Sequence, residues 1–197
     1  MILNQILLKL IKISKISLII ILYFFDCSRV EAGTLNSLSI LKQSNYLALM
    51  RHTLAPGFGD PDNFELHNCD TQRNLSTEGI IQAQKIGKLL KSIGIATASV
   101  YSSQWCRCVD TANYLDLGPI LILPPLNSFF QNLSNKAKQT DTIRNWINSQ
   151  NLAKPTILVT HQVNITALTG VYPSSGEIVV VKRIRNSGLK LVGTFNQ

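Results

Sequence analysis

Leu49-Met50-Arg51-His52-Thr53 ends one apolar run of this chain, and Val159-Thr160-His161-Gln162 ends another, much further along. In both, a histidine stands where a buried strand gives way to a loop. Open α/β sheets bind their ligands at that edge, outside the carboxyl ends of the strands. Between the two lies Tyr101-Ser102-Ser103-Gln104-Trp105-Cys106-Arg107, a third strand-like run that ends near an arginine. Two histidines and two arginines from three strand ends make a pocket suited to a phosphoryl group, because planar guanidinium forks match its oxygens.

The flanking segments support a layered fold. Tyr46–Arg51 reads as the first strand. A long segment rich in Gly, Pro, Asp and Asn runs from Thr53 to Leu75. Ser76 is suited to cap a helix over Thr77–Ile93, whose Ile80, Ala83, Ile86, Leu89, Leu90 and Ile93 share one face. Strands follow at Ala98–Ser102, Ile120–Leu123 and Thr156–Thr160, with helices at Arg107–Leu115, Thr140–Ser149 and Val163–Leu168. Glu177–Arg183 and Leu189–Phe195 read as a terminal hairpin. Strands alternating with helices predict an α/β three-layer sandwich around a mostly parallel mixed central sheet.

The first 32 residues are of another kind. Lys9, Lys12 and Lys15 precede the apolar run Ile16–Phe25, and Val30-Glu31-Ala32 precedes Gly33. This is the pattern of a secretory signal peptide cleaved after Ala32; the alternative is a retained anchor. Residues 33–45 are expected to be a flexible lead-in to a domain over 46–197. The formal net charge is +8 at pH 7, but the basic residues are scattered. A small phosphorylated substrate is therefore expected, with no nucleic acid and no stable membrane span once the signal is removed. Cys69, Cys106 and Cys108 remain, and an exported chain meets an oxidising compartment. A bridge from Cys69 to Cys106 or to Cys108 would tie the segment after the first strand to the arginine-bearing turn. Cys106-x-Cys108 is not a zinc spacing, and no metal or cofactor is expected.

The Arg51-His52 pair, the lone Arg107, the segment Arg73-Asn74-Leu75-Ser76-Thr77-Glu78-Gly79 and His161, in this order, resemble the histidine phosphatase superfamily, the phosphoglycerate mutase-like group. The likeness runs from about Tyr46 onward, and the leading segment places it with the small exported phosphatases of that group. Thr53 stands where the usual signature has Gly. The resemblance implies that His52 is the nucleophile and forms a phosphohistidine, without metal. Arg51 and Arg107 would bind the phosphoryl oxygens, with His52 and His161 beside them. His161, when protonated, would add charge on the far side of the transferring group.

The proton donor is less legible. Some relatives carry Glu after the third strand, where Leu126-Asn127-Ser128-Phe129-Phe130-Gln131 has no carboxylate. Others carry Asp after the second histidine, where Gln162 stands. Asp60 is the leading candidate, because its loop leaves the strand carrying His52; Asp62, Glu65, Asp70 and Glu177 are the remaining candidates. The expected function is that of a periplasmic or secreted phosphohydrolase that cleaves a phosphomonoester, with an envelope phosphosugar as the substrate guess. Two alternatives stand beside it: a phosphohistidine phosphatase, and a non-catalytic phosphate-binding envelope protein. Export argues against a glycolytic mutase.

Overall fold

The computed structural model of the chain describes residues 38–185 and 188–196. The expected signal segment lies outside the described residues. Six strands form one sheet: β1 (Tyr46–Arg51), β2 (Ser99–Ser102), β3 (Ile120–Ile122), β4 (Thr156–Thr160), β5 (Ile178–Ile184) and β6 (Gly188–Phe195). Their order is β3-β2-β4-β1-β5-β6. The pairs β3·β2, β2·β4 and β4·β1 are parallel, while β5 runs antiparallel to β1 and to β6. The four helices among the described residues are α1 (Thr77–Ser92), α2 (Cys106–Leu115), α3 (Lys136–Ser149) and α4 (Gln162–Thr169). The third begins four positions before the residue at which the sequence pattern first becomes helical.

The alternation of side chains along each strand builds the three layers. Ala48 and Met50 of β1, Val100 of β2, Ile157 and Val159 of β4 and Ile178 and Val180 of β5 pack with Ile86 and Leu90 of α1 and Cys108, Ala112 and Leu115 of α2. The intervening residues Leu47, Leu49, Leu158, Val179 and Val181 pack on the other face with Ile143 and Ile147 of α3 and Ile165 and Leu168 of α4. Burial on both faces explains why β1 and β4 read as continuous apolar runs. Moving either strand by one residue would exchange the two faces, so the register that delivers His52 and His161 to the same edge is tightly specified.

Helix α1 is placed by an unusually close approach. Ser76 caps it, its Oγ accepting from Gly79 N at 3.2 Å, and Ser76 N donates to Leu54 O at 3.1 Å. A Cβ at Gly79 would collide with the Leu54 carbonyl. Only glycine lets the first turn of the helix lie against the backbone that leaves His52.

Residues 38–45 correct the expected flexible lead-in. Leu38 and Leu41 are wholly buried in the core, and Lys42 Nζ donates to Ile93 O at 3.0 Å. Apolar residues at that spacing belong to the domain. Among the described residues, no helix is long and apolar enough to cross a membrane.

Candidate active site

The parallel strands β1, β4 and β2 end side by side, with Arg51 opposite Thr160 and Ser102 opposite Val159. The ladder continues one residue beyond them: His52 N donates to Thr160 O at 3.0 Å, and Ser103 N donates to Val159 O at 3.0 Å. His52, His161 and Ser103 therefore leave three adjacent strands at one level. The two histidine ring centroids are 5.6 Å apart. A cavity of about 140 Å³ opens over them, lined also by Arg51, Asp60, Arg73 and Arg107.

Both histidines are buried. His52 Nδ1 lies 2.8 Å from Thr53 O. A carbonyl only accepts, so Nδ1 carries the proton and Nε2 keeps a free lone pair. Burial, then the charge of Arg107, lower the His52 pKa to about 3. His161 Nε2 is 3.0 Å from Ser103 Oγ. Its pKa lies well below the ordinary value, first through burial and then through Arg107 and His52. Enclosed among arginines, and with no carboxylate partner among the described residues, His161 favours its neutral form, so its surroundings oppose the charge it would add when protonated.

Thr53 explains the departure from the usual glycine. Its N–H donates to Thr111 Oγ1 at 3.0 Å, and its hydroxyl pairs with the same oxygen at 3.1 Å. The extra side chain is satisfied by a threonine of α2 and does not enter the cavity.

Arg51 Nη1 donates to Pro173 O at 2.9 Å, which ties this strand end to the turn before β5. Arg107 forms a two-pronged salt bridge with Asp60, Nη1 to Oδ1 at 2.6 Å and Nη2 to Oδ2 at 3.0 Å, with side-chain exposures of only 3% and 6%. Trp105 Nε1 donates to Asp60 Oδ2 at 3.0 Å, and Arg73 N to Oδ1 at 3.2 Å. Burial alone would raise the Asp60 pKa, but Arg107, Trp105 and Arg73 together hold it below the usual carboxylate value. This corrects the expected role of Asp60. It lines the cavity, but a carboxylate fixed in its ionised form is in the wrong state to donate a proton. Asp62, Glu65 and Asp70 are exposed, and Glu177 caps a turn by accepting from Ser174 N at 2.8 Å. Among the described residues, Asp60 is the one carboxylate that lines the cavity.

Among the described residues, two guanidinium groups keep a buried N–H without a partner: Nε of Arg51 and Nε of Arg107. Buried donors are costly to leave unpaired. The end of the Arg107 fork is taken by Asp60, so its side edge is what remains for an anion. Arg73 is the residue the sequence reading missed. It was visible only as part of a helix-start segment. Its Nε donates to Gly59 O at 2.7 Å and its Nη1 to Ala55 O, so it clamps the returning loop while placing a third positive charge at the cavity.

Cys69 is bonded to Cys106, one of the two expected pairings. Cys108 is a free, buried thiol, 3.5 Å from His161 Nε2, and burial pushes its pKa up to about 12. It is inert packing. His67 is exposed on the loop.

A family model described as the histidine phosphatase superfamily (branch 1) matches residues 47–128, the span that carries Arg51, His52, Arg73 and Arg107. Over this span the chain is similar to the histidine phosphatase superfamily. Solved structures share the fold. A protein assigned as the phosphohistidine phosphatase SixA of Agrobacterium tumefaciens aligns with a TM-score of 0.54 and 18% identity, over 78% of this chain and 98% of that one. The protein histidine phosphatase SixA complexed with tungstate gives 0.52 and 16%, over 76% and 95%. A phosphoserine phosphatase of Entamoeba histolytica in complex with 3-phosphoglyceric acid gives 0.55 and 14%, over 77% and 97%. At these identities the likeness concerns the fold. No curated protein sequence matches the chain.

Proposed function

We propose that this chain is an exported, metal-independent phosphohydrolase of the histidine phosphatase superfamily that takes a phosphoryl group onto His52 Nε2. The charge and protonation balance of the cavity carries the reading. Three arginines less one aspartate leave two positive charges around two neutral imidazoles. A phosphomonoester carries about −1.5 to −2 at neutral pH, which complements that balance.

In the first step the His52 Nε2 lone pair forms an N–P bond as the bond to the leaving group breaks, and the bonding pair departs with the leaving group. Arg51 and Arg107 meet the non-bridging oxygens through the N–H groups that have no protein partner, and so supply fixed positive charge where it is needed. In the second step water attacks phosphorus, the N–P bond pair returns to Nε2, and neutral His161 accepts the water proton. Inorganic phosphate leaves. Asp60 fixes the Arg107 fork and gives no proton. That favours leaving groups that need no proton from the protein, and supports as the second reading an acyl phosphate, which loses a carboxylate, or a ring-protonated phosphohistidine, which loses neutral imidazole. Export is supported by the leading segment and by the disulfide, which persists in oxidising compartments.

The test is hydrolysis of p-nitrophenyl phosphate with a chelator present. Turnover that persists in chelator and disappears in His52→Ala supports the proposal. Phosphate binding without turnover would make the chain a binding protein.

A further inference from the structure

The rim of the cavity contrasts with its floor. The floor is arginine and histidine. The rim carries Phe58, Phe130 and Tyr172, with Ser128, Gln131 and Gln162 beside them. Phe58 is 86% exposed, Tyr172 74% and Phe130 39%. Phe58 stands between Gly57 and Gly59, where residues 53–75 begin, while Phe130 belongs to the segment between β3 and α3. The two rings meet edge to face with centroids 4.9 Å apart. Large apolar side chains left in water beside a charged cavity lie where the leaving part of a bound substrate must project.

We infer that this rim is a subsite for a planar aromatic leaving group, and that the substrate class is an aryl phosphate, the phosphomonoester of a phenol. The inference rests on the phosphatase reading above and adds the identity of what leaves. Two independent observations converge on it. The first is shape: exposed rings next to the phosphoryl site offer faces and edges on which another ring packs. The second is chemistry. Among the described residues the cavity has one carboxylate, Asp60, and its salt bridge to Arg107 holds it ionised, so none of them protonates the departing oxygen. A phenol has a pKa of about 10, and the electron pair of the breaking P–O bond spreads into its ring. A sugar alkoxide is far more basic and would need that proton. Among the described residues, the rim also offers no carboxylate or ammonium for a charged leaving group.

The experiment compares phenyl phosphate with acetyl phosphate, a small, non-aromatic phosphoryl donor whose leaving group likewise needs no proton. The readout is the ratio of kcat/KM for the two in the wild type, Phe58→Ala, Tyr172→Ala and Phe58→Tyr, with Leu133→Ala as an exposed apolar control away from the cavity. Phe58→Ala and Tyr172→Ala are expected to lower the ratio about tenfold, in line with single aromatic stacking contacts. Phe58→Tyr, which keeps the ring, should retain it, as should Leu133→Ala. A ratio unchanged in both alanine variants would overturn the subsite even if His52 phosphoenzyme still forms from acetyl phosphate. Faster wild-type turnover of a sugar phosphate than of phenyl phosphate would overturn it too. Failure of acetyl phosphate to label His52 would remove the phosphatase reading and the inference with it.

Discussion

Two regions meet at the cavity, and different forces hold them. His52 and His161 follow strands whose side chains are buried on both faces and whose backbones are locked in a parallel ladder. Asp60 and Arg73 belong to residues 53–75, which include only one short 3₁₀ turn, Cys69–Thr71. This segment is held by particular side chains. Gln72 accepts from Cys106 N at 3.0 Å and donates to Leu66 O at 2.9 Å. Phe64 stacks on Trp105 at 5.0 Å. Asp60 grips Arg107, and the disulfide fastens the far end. The sheet edge gets its place from the distributed hydrophobic effect, the loop from a few bonds that each matter. The proposed chemistry therefore rests on the edge, and alignment of Arg73 and Arg107 rests on the loop.

The most severe way to break the contrast is at the edge. His52→Ala should abolish phosphoenzyme and lower turnover by about 10⁴-fold or more, as for other covalent nucleophiles, while the melting profile stays cooperative. An acid-labile, base-stable label mapped to His52 in the wild type checks the assignment. Near-normal activity in the variant would move the nucleophile elsewhere.

The loop should answer with stability first. Cys69 and Cys106 are separated by 37 positions, and closing a loop of that size is worth about 4 kcal/mol by chain entropy. Cys69→Ser should lower the urea midpoint accordingly, and its residual activity should fall more than that of a variant equally destabilised in the core. Equal losses would show that the loop does not align the site.

Arg107 joins the two regions. Arg107→Ala should reduce kcat/KM by about 10²–10³-fold, the range for one preorganised donor. Arg107→Lys should recover little, because it lacks the fork. Asp60→Asn should cost about tenfold for good and poor leaving groups alike, and the double variant should be less than additive. A loss confined to poor leaving groups would restore Asp60 as proton donor.

The mildest effect is on pH. Burial keeps His52 neutral down to about pH 3 and shifts His161 the same way. Between the unfolded value near 6.5 and the lowered folded values, the unfolded chain binds protons that the folded chain refuses. Stability should therefore be complete above pH 6.5 and fall as pH drops below it, by at most about 1.4 kcal/mol per pH unit for each histidine. Asp60 adds a loss of the same sign further down, as pH falls from 3.8 through its lowered folded value. Urea midpoints across the acid range, with His52→Gln as comparison, measure the slope; a flat profile would contradict the buried neutral rings.

What was legible in the sequence follows the same division. Leu47 to Met50 and Ile157 to Val159 announce buried strands, so the layers, the sheet edge, and the positions of Arg51, His52, Arg107 and His161 could be read from local pattern. The role of Asp60 could not. Its state is set by Arg107, Trp105 and Arg73, which lie 47, 45 and 13 positions away, and no local pattern records such a meeting. Arg73 has no legible role for the same reason, and the preference of His161 for its neutral form comes from burial among arginines that no local pattern displays. Leu38 and Leu41 are hard to read as core because most of residues 37–45 are polar.

The glycine at position 79 has a consequence for anyone altering this protein. Helix scales rank alanine above glycine by about 1 kcal/mol, so a stability designer would replace it. Here the methyl group would push the helix and the backbone that leaves His52 apart. A residue that does not line the cavity thus acts as the spacer between the helix and the backbone that carries His52, and its replacement is expected to show in turnover as well as in melting temperature.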